Sequence, residues 1–272
     1  MDLSKCSEVI SLTFGDQGEN HVGMEKVGKI VAQGNGFNVD DLVGYRDFFE
    51  TNGFSGEIYN LNDLLNKSTH KDQGETAHVL VIRSGMNYFL QKIKKTPNDM
   101  FREMNSFEWD RKYYDTRRKK VLNKNARANV CFGSSGVEPD YENKIGRVVS
   151  YDSVPTLKVI KDNLPLVLGF KGENMICEGN RYFDLRKCGI GWHGDAERRK
   201  VVAFRLGETM DLHYHWFIRH NPVGETLKLT LNNGDMYIMS EKAVGTDWKR
   251  SSILTLRHSA GKEGSKYLVL NK

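Results

Sequence analysis

From residue 123 onward, Gly, Pro and Asn break the chain into short runs of β-branched and aromatic residues, and this punctuation confines it to sheet architectures. Candidate strands fall at 128–132, 175–178, 201–206, 212–218, 227–231, 235–239, 253–257 and 267–270. Asn232-Asn233-Gly234-Asp235 is a hairpin signal, because such turns need residues that tolerate positive φ. One helix interrupts the series: Val154-Pro155-Thr156-Leu157 opens it, and its apolar positions continue through Val159, Ile160 and Leu164. Short strands at regular spacing predict an antiparallel sandwich or barrel.

Residues 1–122 read differently, as a mixed α/β extension with a supporting or recognition role, ahead of a second domain at 123–272. Leu42, Val43, Tyr45, Phe48 and Phe49 lie at near-helical intervals, and Asn52-Gly53 closes that helix. A second helix is expected at 61–65, a buried strand at 77–83, and a charged helix from Asn98 to about Lys120. The fold class expected is α+β, mainly β.

Composition narrows the setting. Aromatic residues make up 10% of the 272, enough to build a core, which argues against intrinsic disorder. No apolar run approaches the roughly 18 residues of a membrane span, and the N-terminus lacks a basic region followed by a long apolar stretch. An intracellular protein, cytoplasmic or nuclear and not secreted, is expected. Cys6, Cys131, Cys177 and Cys188 form no C-x-x-C pair and read as free thiols. Lys and Arg number 40 against 35 Asp and Glu, a net +5 that permits a polyanionic partner without demanding one.

The residues that carry chemistry are Trp192-His193-Gly194-Asp195. On an extended segment, His193 and Asp195 are two apart, so one imidazole and one carboxylate share a face and can meet one metal ion. A distant histidine would complete a facial triad of two imidazoles and one carboxylate, the ligand set of non-haem Fe(II) oxygenases. His258, which follows the strand expected at 253–257, is the leading candidate. Leu212-His213-Tyr214-His215-Trp216 offers a rival H-x-H, read instead as two polar residues on the outer face of a strand whose Leu, Tyr and Trp face inward. His220 reads as a loop residue, and His21, His70 and His78 as ordinary surface or capping residues.

The order of motifs carries more than any one of them. Asn180-Arg181-Tyr182 is followed by His193, Asp195 and Glu197, then Leu206-Gly207, the turn Gly234-Asp235 before an apolar strand, His258 and finally Lys266. Over 123–272 this resembles the AlkB-like branch of the Fe(II)/2-oxoglutarate-dependent dioxygenases. The resemblance implies a double-stranded β-helix (jelly-roll, cupin-like) core with flanking helices. It further implies Fe(II) held by His193, Asp195 and His258, with Asn180 and Tyr182 in cosubstrate-binding roles. No arginine follows His258, where that branch places two. Gly264-Ser265-Lys266-Tyr267 looks more like the prolyl-hydroxylase side of the superfamily, which makes Lys266 the expected partner of the distal carboxylate of 2-oxoglutarate; Lys262 and Lys272 are alternatives.

The resulting expectation is an oxygenase that uses O₂ and 2-oxoglutarate to oxidise an alkyl group on a nucleic-acid base, DNA or RNA. Its rivals are a hydroxylase of a protein side chain or small molecule, and a non-catalytic binding module on the same barrel. The basic and aromatic run from Asp110 to Lys120, continuing to Lys124 and Arg127, suits phosphate contact and base stacking, or else is a solvated helix face. Ala196-Glu197-Arg198-Arg199-Lys200 either faces substrate or braces itself. Asn20-His21-Val22-Gly23-Met24 is distinctive but has no chemistry attached to it.

Overall fold

A computed structural model describes residues 7–270 as a mixed α+β, sheet-rich fold. The first half of the chain contributes β1 (Val9–Gly15), a hairpin of β2 (Gln17–Glu19) and β3 (Lys26–Gly28), α1 (Val39–Thr51), β4 (Gly56–Asn60), β5 (His78–Ile82), α2 (Met86–Leu90) and α3 (Pro97–Glu103). There follow a second hairpin of β6 (Lys112–Asp115) and β7 (Lys120–Asn123), then β8 (Ala128–Gly133), β9 (Val148–Ser150) and α4 (Pro155–Leu168). The remainder is β10 (Ile176–Tyr182), β11 (Ile190–His193), β12 (Val201–Gly207), β13 (Met210–Ile218), β14 (Asn221–Leu231), β15 (Met236–Met239), α5 (Glu241–Val244) and β16 (Thr255–Gly261).

The strands form an eight-stranded sheet in the order β4-β5-β15-β12-β1-β10-β8-β9 and a four-stranded sheet in the order β11-β16-β13-β14. Alternation along each strand divides the apolar residues into two cores. Ile10, Leu12, Phe14, Val202, Phe204 and Leu206 face away from the small sheet and pack under the helices, against residues such as Leu42, Phe89, Leu157 and Ile160. Val9, Val201, Ala203 and Tyr237 face the other way and share a core with Leu212, Tyr214, Trp216 and Leu256 of the small sheet. The two sheets therefore face one another.

Local signals set the element ends. Asn38 caps α1 by accepting from the Asp41 N–H at 2.9 Å while the Asp41 carboxylate accepts from the Asn38 N–H at 2.8 Å, a reciprocal box that satisfies two otherwise free donors. The strand and the helices expected at 77–83, 61–65 and from Val154 appear as β5, a 3-10 turn at Leu61–Leu65 and α4. Gly234 takes φ +88 at the turn between β14 and β15.

Three expectations need correction. The charged stretch from Asn98 to Lys120 is helical only through Glu103 and then forms the β6–β7 hairpin. The Asp115 carboxylate accepts from the N–H groups of Arg117 and Arg118, and Lys119 takes φ 51; this local turn chemistry outcompetes a helix. No strand forms at 267–270, where Lys266–Leu268 is a 3-10 turn instead. Nor does a structural boundary lie at 122/123: β1, β4 and β5 are members of the eight-stranded sheet. β1 is fully internal, pairing with β12 on one side and β10 on the other, with Ser11 opposite both Arg205 and Asn180.

Among the described residues no helix is long and apolar enough to cross a membrane. Cys131, Cys177 and Cys188 are free and buried; Cys6 lies outside the described residues.

Candidate metal centre

β11 and β16 are paired so that Ile190 stands opposite Ala260 and His193 opposite His258, with one extra residue on β11 between these pairs. That bulge reverses the alternation, which turns both Ile190 and His193 toward the inner face. Trp192 is thereby sent to the outer face, where its ring meets His213, His215 and Phe217. The chain leaves the strand at Gly194, and Asp195 is fixed by its N–H donating to the carbonyl of Val244 at 2.9 Å. Gly194 is required there, because a Cβ would come within 2.0 Å of the Gly245 carbonyl oxygen.

His193, Asp195 and His258 converge. Their ligand atoms all lie within 4.8 Å of one another. Nε2 of His193 and Nε2 of His258 lie 3.4 and 3.5 Å from the same Asp195 oxygen, Oδ1. Nδ1 of His193 faces the carbonyls of Gly191 at 2.8 Å and His258 at 3.1 Å. Carbonyls only accept, so the proton sits on Nδ1 and the Nε2 lone pair is presented to the cluster.

The electrostatics suit a cation. Burial alone would raise the Asp195 carboxyl, but Arg198 and the two imidazoles hold it well below the usual carboxylate range. Burial and the neighbouring His193 lower His258, against the pull of Asp195. Arg198, 3% exposed, is itself neutralised by Glu178 and by Glu197 at 2.8 Å, with its Nε 3.7 Å from the second Asp195 oxygen. In the basic cluster that follows, Arg199 pairs with Glu241 at 3.2 Å and Lys200 donates to the Lys171 carbonyl at 2.8 Å, so this segment is a brace.

The triad lines a cavity of about 780 Å³ between the two sheets. Asn180 and Tyr182 of β10 also line it. Asn180 accepts from Arg127 at 2.7 Å and from Asn129, and donates to Glu178 at 3.0 Å, which fixes its amide. Tyr182 is buried, and burial raises its phenol.

Lys266 does not reach this cavity. The chain turns at Gly264 (φ +77), and the 3-10 segment carrying Lys266 packs against β11 and β16, bordering a separate cleft with Arg111 and Lys124. Its ammonium lies 5.2 Å from the Tyr267 ring. Lys262 is exposed, and Lys272 lies outside the described residues.

The remaining histidines divide. His213 and His215 sit on the outer face of β13 with Leu212, Tyr214 and Trp216 inward, as expected. His215 bonds the Thr226 hydroxyl at 2.8 Å. His220 lies in the turn between β13 and β14 and bonds Arg257 at 2.9 Å, while His70 meets Gln73 at 2.9 Å. His21 is not an ordinary surface residue: it lines the cavity mouth beside Met24, and its ring stacks on Tyr113 at 3.7 Å. That stack joins the Asn20–Met24 loop to the β6–β7 hairpin, and the Tyr114 N–H meets the Met24 sulfur at 3.3 Å.

Arg205 is the cavity residue that sequence reasoning missed. It lies 2% exposed on β12, and its Nε and Nη1 have no partner. The signal was available: in Val201-Val202-Ala203-Phe204-Arg205-Leu206, the one charge shares parity with Val201 and Ala203, which face inward.

These features define an α+β protein with two facing sheets and a two-histidine, one-carboxylate cluster in the cavity between them. No family model matches the chain. Over 259 residues it is 42% identical to the uncharacterized protein R156 of Acanthamoeba polyphaga mimivirus, covering 95% of this chain and 98% of that protein. The chain belongs to the family of that viral protein.

Proposed function

We propose that the protein is an Fe(II)- and 2-oxoglutarate-dependent dioxygenase built on a double-stranded β-helix. The observation that carries this reading is the convergence of the two Nε2 atoms on one Asp195 oxygen. Two imidazoles and one carboxylate on one side leave open positions, a donor set suited to non-haem Fe(II). The sheet orders support the fold: β11-β16-β13-β14 faces β15-β12-β1-β10, with β1 filling the slot between β10 and β12.

Iron bound there, with O₂ and 2-oxoglutarate, would supply hydroxylation of a substrate C–H bond, with succinate and CO₂ as coproducts. The protein's own contribution is positional. His193, its tautomer set by two carbonyls, and His258 would hold the ion from one strand pair. Asp195 remains ionised beside Arg198. Asn180 and Tyr182 line the cavity and would form a wall for the cosubstrate.

The substrate class favoured is an alkylated nucleic-acid base, on which hydroxylation of an N-methyl group releases formaldehyde. The support is positional: the exposed turn carrying Arg117, Arg118 and Lys119 belongs to the hairpin that His21 ties to the cavity mouth. A base inside a duplex would have to be flipped, so single strands are the preferred form. Hydroxylation of a protein side chain is the second reading, but it rests on Lys266, which lies outside the cavity. A non-catalytic module is disfavoured by the complete ligand set.

The test is succinate release measured with methylated single- and double-stranded DNA, RNA, free nucleosides and peptides. Stimulation by single-stranded nucleic acid supports the reading; stimulation by peptides alone overturns its substrate. Absence of a visible charge-transfer band with anaerobic Fe(II) and 2-oxoglutarate overturns the oxygenase itself.

A further inference from the structure

Arg205 poses a physical problem. A guanidinium 2% exposed, with two of its nitrogens lacking any acceptor, is strongly destabilising relative to a paired one. Its neighbour in the same cavity shows the usual solution, since Arg198 is matched by Glu178 and Glu197. Among the described residues no carboxylate pairs with Arg205. Its Cζ lies 5.7 Å from the Tyr237 ring, and the residue directly opposite on β1 is Ser11, which also lines the cavity. Tyr214, fully buried on the facing sheet, has an unpartnered hydroxyl, and Arg205 acts electrostatically on it. Arg205 and Ser11 line the same cavity as the metal cluster.

The fold explains the location. After β16 the described chain does not return to the eight-stranded sheet, and the place between β10 and β12 belongs to β1. β1 brings Ser11 and Thr13, not a cation, to the inner face. The positive charge comes instead from the next strand, β12.

We infer that Arg205 is the anion receptor of the cavity, binding the distal carboxylate of a 2-oxo diacid whose other end meets the metal held by His193, Asp195 and His258. This rests on the dioxygenase reading for the metal. The planar fork of arginine suits a carboxylate bidentately, which a lysine on an exposed turn would not reproduce. Ser11 adds a hydroxyl donor to the same carboxylate.

The experiment is calorimetric titration of the full chain loaded with Mn(II), with metal loading followed separately by electron paramagnetic resonance. 2-Oxoglutarate is compared with 2-oxobutyrate, which lacks the distal carboxylate, and with inorganic phosphate. Wild type should prefer 2-oxoglutarate over 2-oxobutyrate by roughly 30- to 1,000-fold. Arg205→Met should bind the two alike while loading Mn(II) as wild type does. Its ligand-free Tm should rise, because an unmatched buried charge has gone. Arg205→Lys should recover part of the preference, and serves if the methionine variant does not fold. Retention of the full preference in Arg205→Met overturns the proposal, as does phosphate competing at the concentrations where 2-oxoglutarate binds. Failure of wild type to load Mn(II) overturns the metal reading, and the anchor with it.

Discussion

His193 stands directly opposite His258 in the ladder between β11 and β16, although 65 residues separate them in sequence. Their rings are 4.4 Å apart, and the carbonyl of one accepts from the ring of the other. A single strand pair thus sets two ligands, and only Asp195 arrives from a loop.

Replacing His193, Asp195 or His258 by Ala should lower Mn(II) affinity by more than about 100-fold while leaving the far-ultraviolet circular dichroism unchanged. His215→Ala, on the outer face, should bind the metal as wild type does. Equal loss in His215→Ala would move the distal ligand.

Gly194→Ala tests the loop. The added Cβ would meet the Gly245 carbonyl oxygen, so Asp195 must shift away from its bond to Val244. A fall in metal affinity of about 10- to 100-fold is expected, the size seen when groups that orient a ligand are disturbed. An unchanged affinity would show that Asp195 does not depend on this approach.

Arg198→Met leaves Glu178, 7% exposed at its side chain, without its counter-ion. Loss of about 3–5 kcal/mol of unfolding free energy is expected from urea denaturation. The double variant Arg198→Met, Glu178→Gln should recover much of it. Failure of the second change to rescue would mean that Arg198 acts mainly through Asp195.

The β6–β7 turn predicts salt-dependent binding. Replacing Arg117, Arg118 and Lys119 by Ala should weaken the binding of single-stranded DNA, measured by fluorescence anisotropy. The slope of log affinity against log salt should fall by about 2, at roughly 0.7 for each phosphate no longer neutralised. A slope unchanged by the triple variant would remove the turn from the nucleic-acid surface.

His215 predicts a pH effect on stability. Burial lowers it from 6.5 to about 4. Its folded value lies below its unfolded one, so its contribution is present above pH 6.5 and is lost as pH falls towards about 4. His215→Gln, which can still meet the Thr226 hydroxyl, should flatten the decline of Tm over that range. A parallel decline in both proteins would assign the acid sensitivity elsewhere.

The parts of the fold legible in the sequence are those governed by local alternation. β12, β13 and the turn at Gly234 follow from the run of strand formers and the Asn-Gly punctuation, and the H-x-D with its distant histidine follows from ligand chemistry. β1 escapes notice because Ser11 and Thr13 occupy its inner positions, so an internal strand reads as half polar; only its cavity-facing place explains them. The β6–β7 hairpin reads as a helix because charge density says nothing of the side-chain-to-backbone bonds that Asp115 makes. Lys266 misleads for a related reason: a basic residue after the distal histidine does not reveal whether the chain there re-enters the sheet.

The internal position of β1 also sets an order of assembly. During synthesis β1 emerges well before both strands that flank it, β10 and β12. Until then it has no ladder partners on either side, and the closing of so long a loop slows its docking. The cavity wall holding Ser11 and Arg205 therefore cannot exist in a nascent fragment. A cell making this protein must shield a strand bearing Ile10, Leu12 and Phe14 until β10 and β12 are available to receive it.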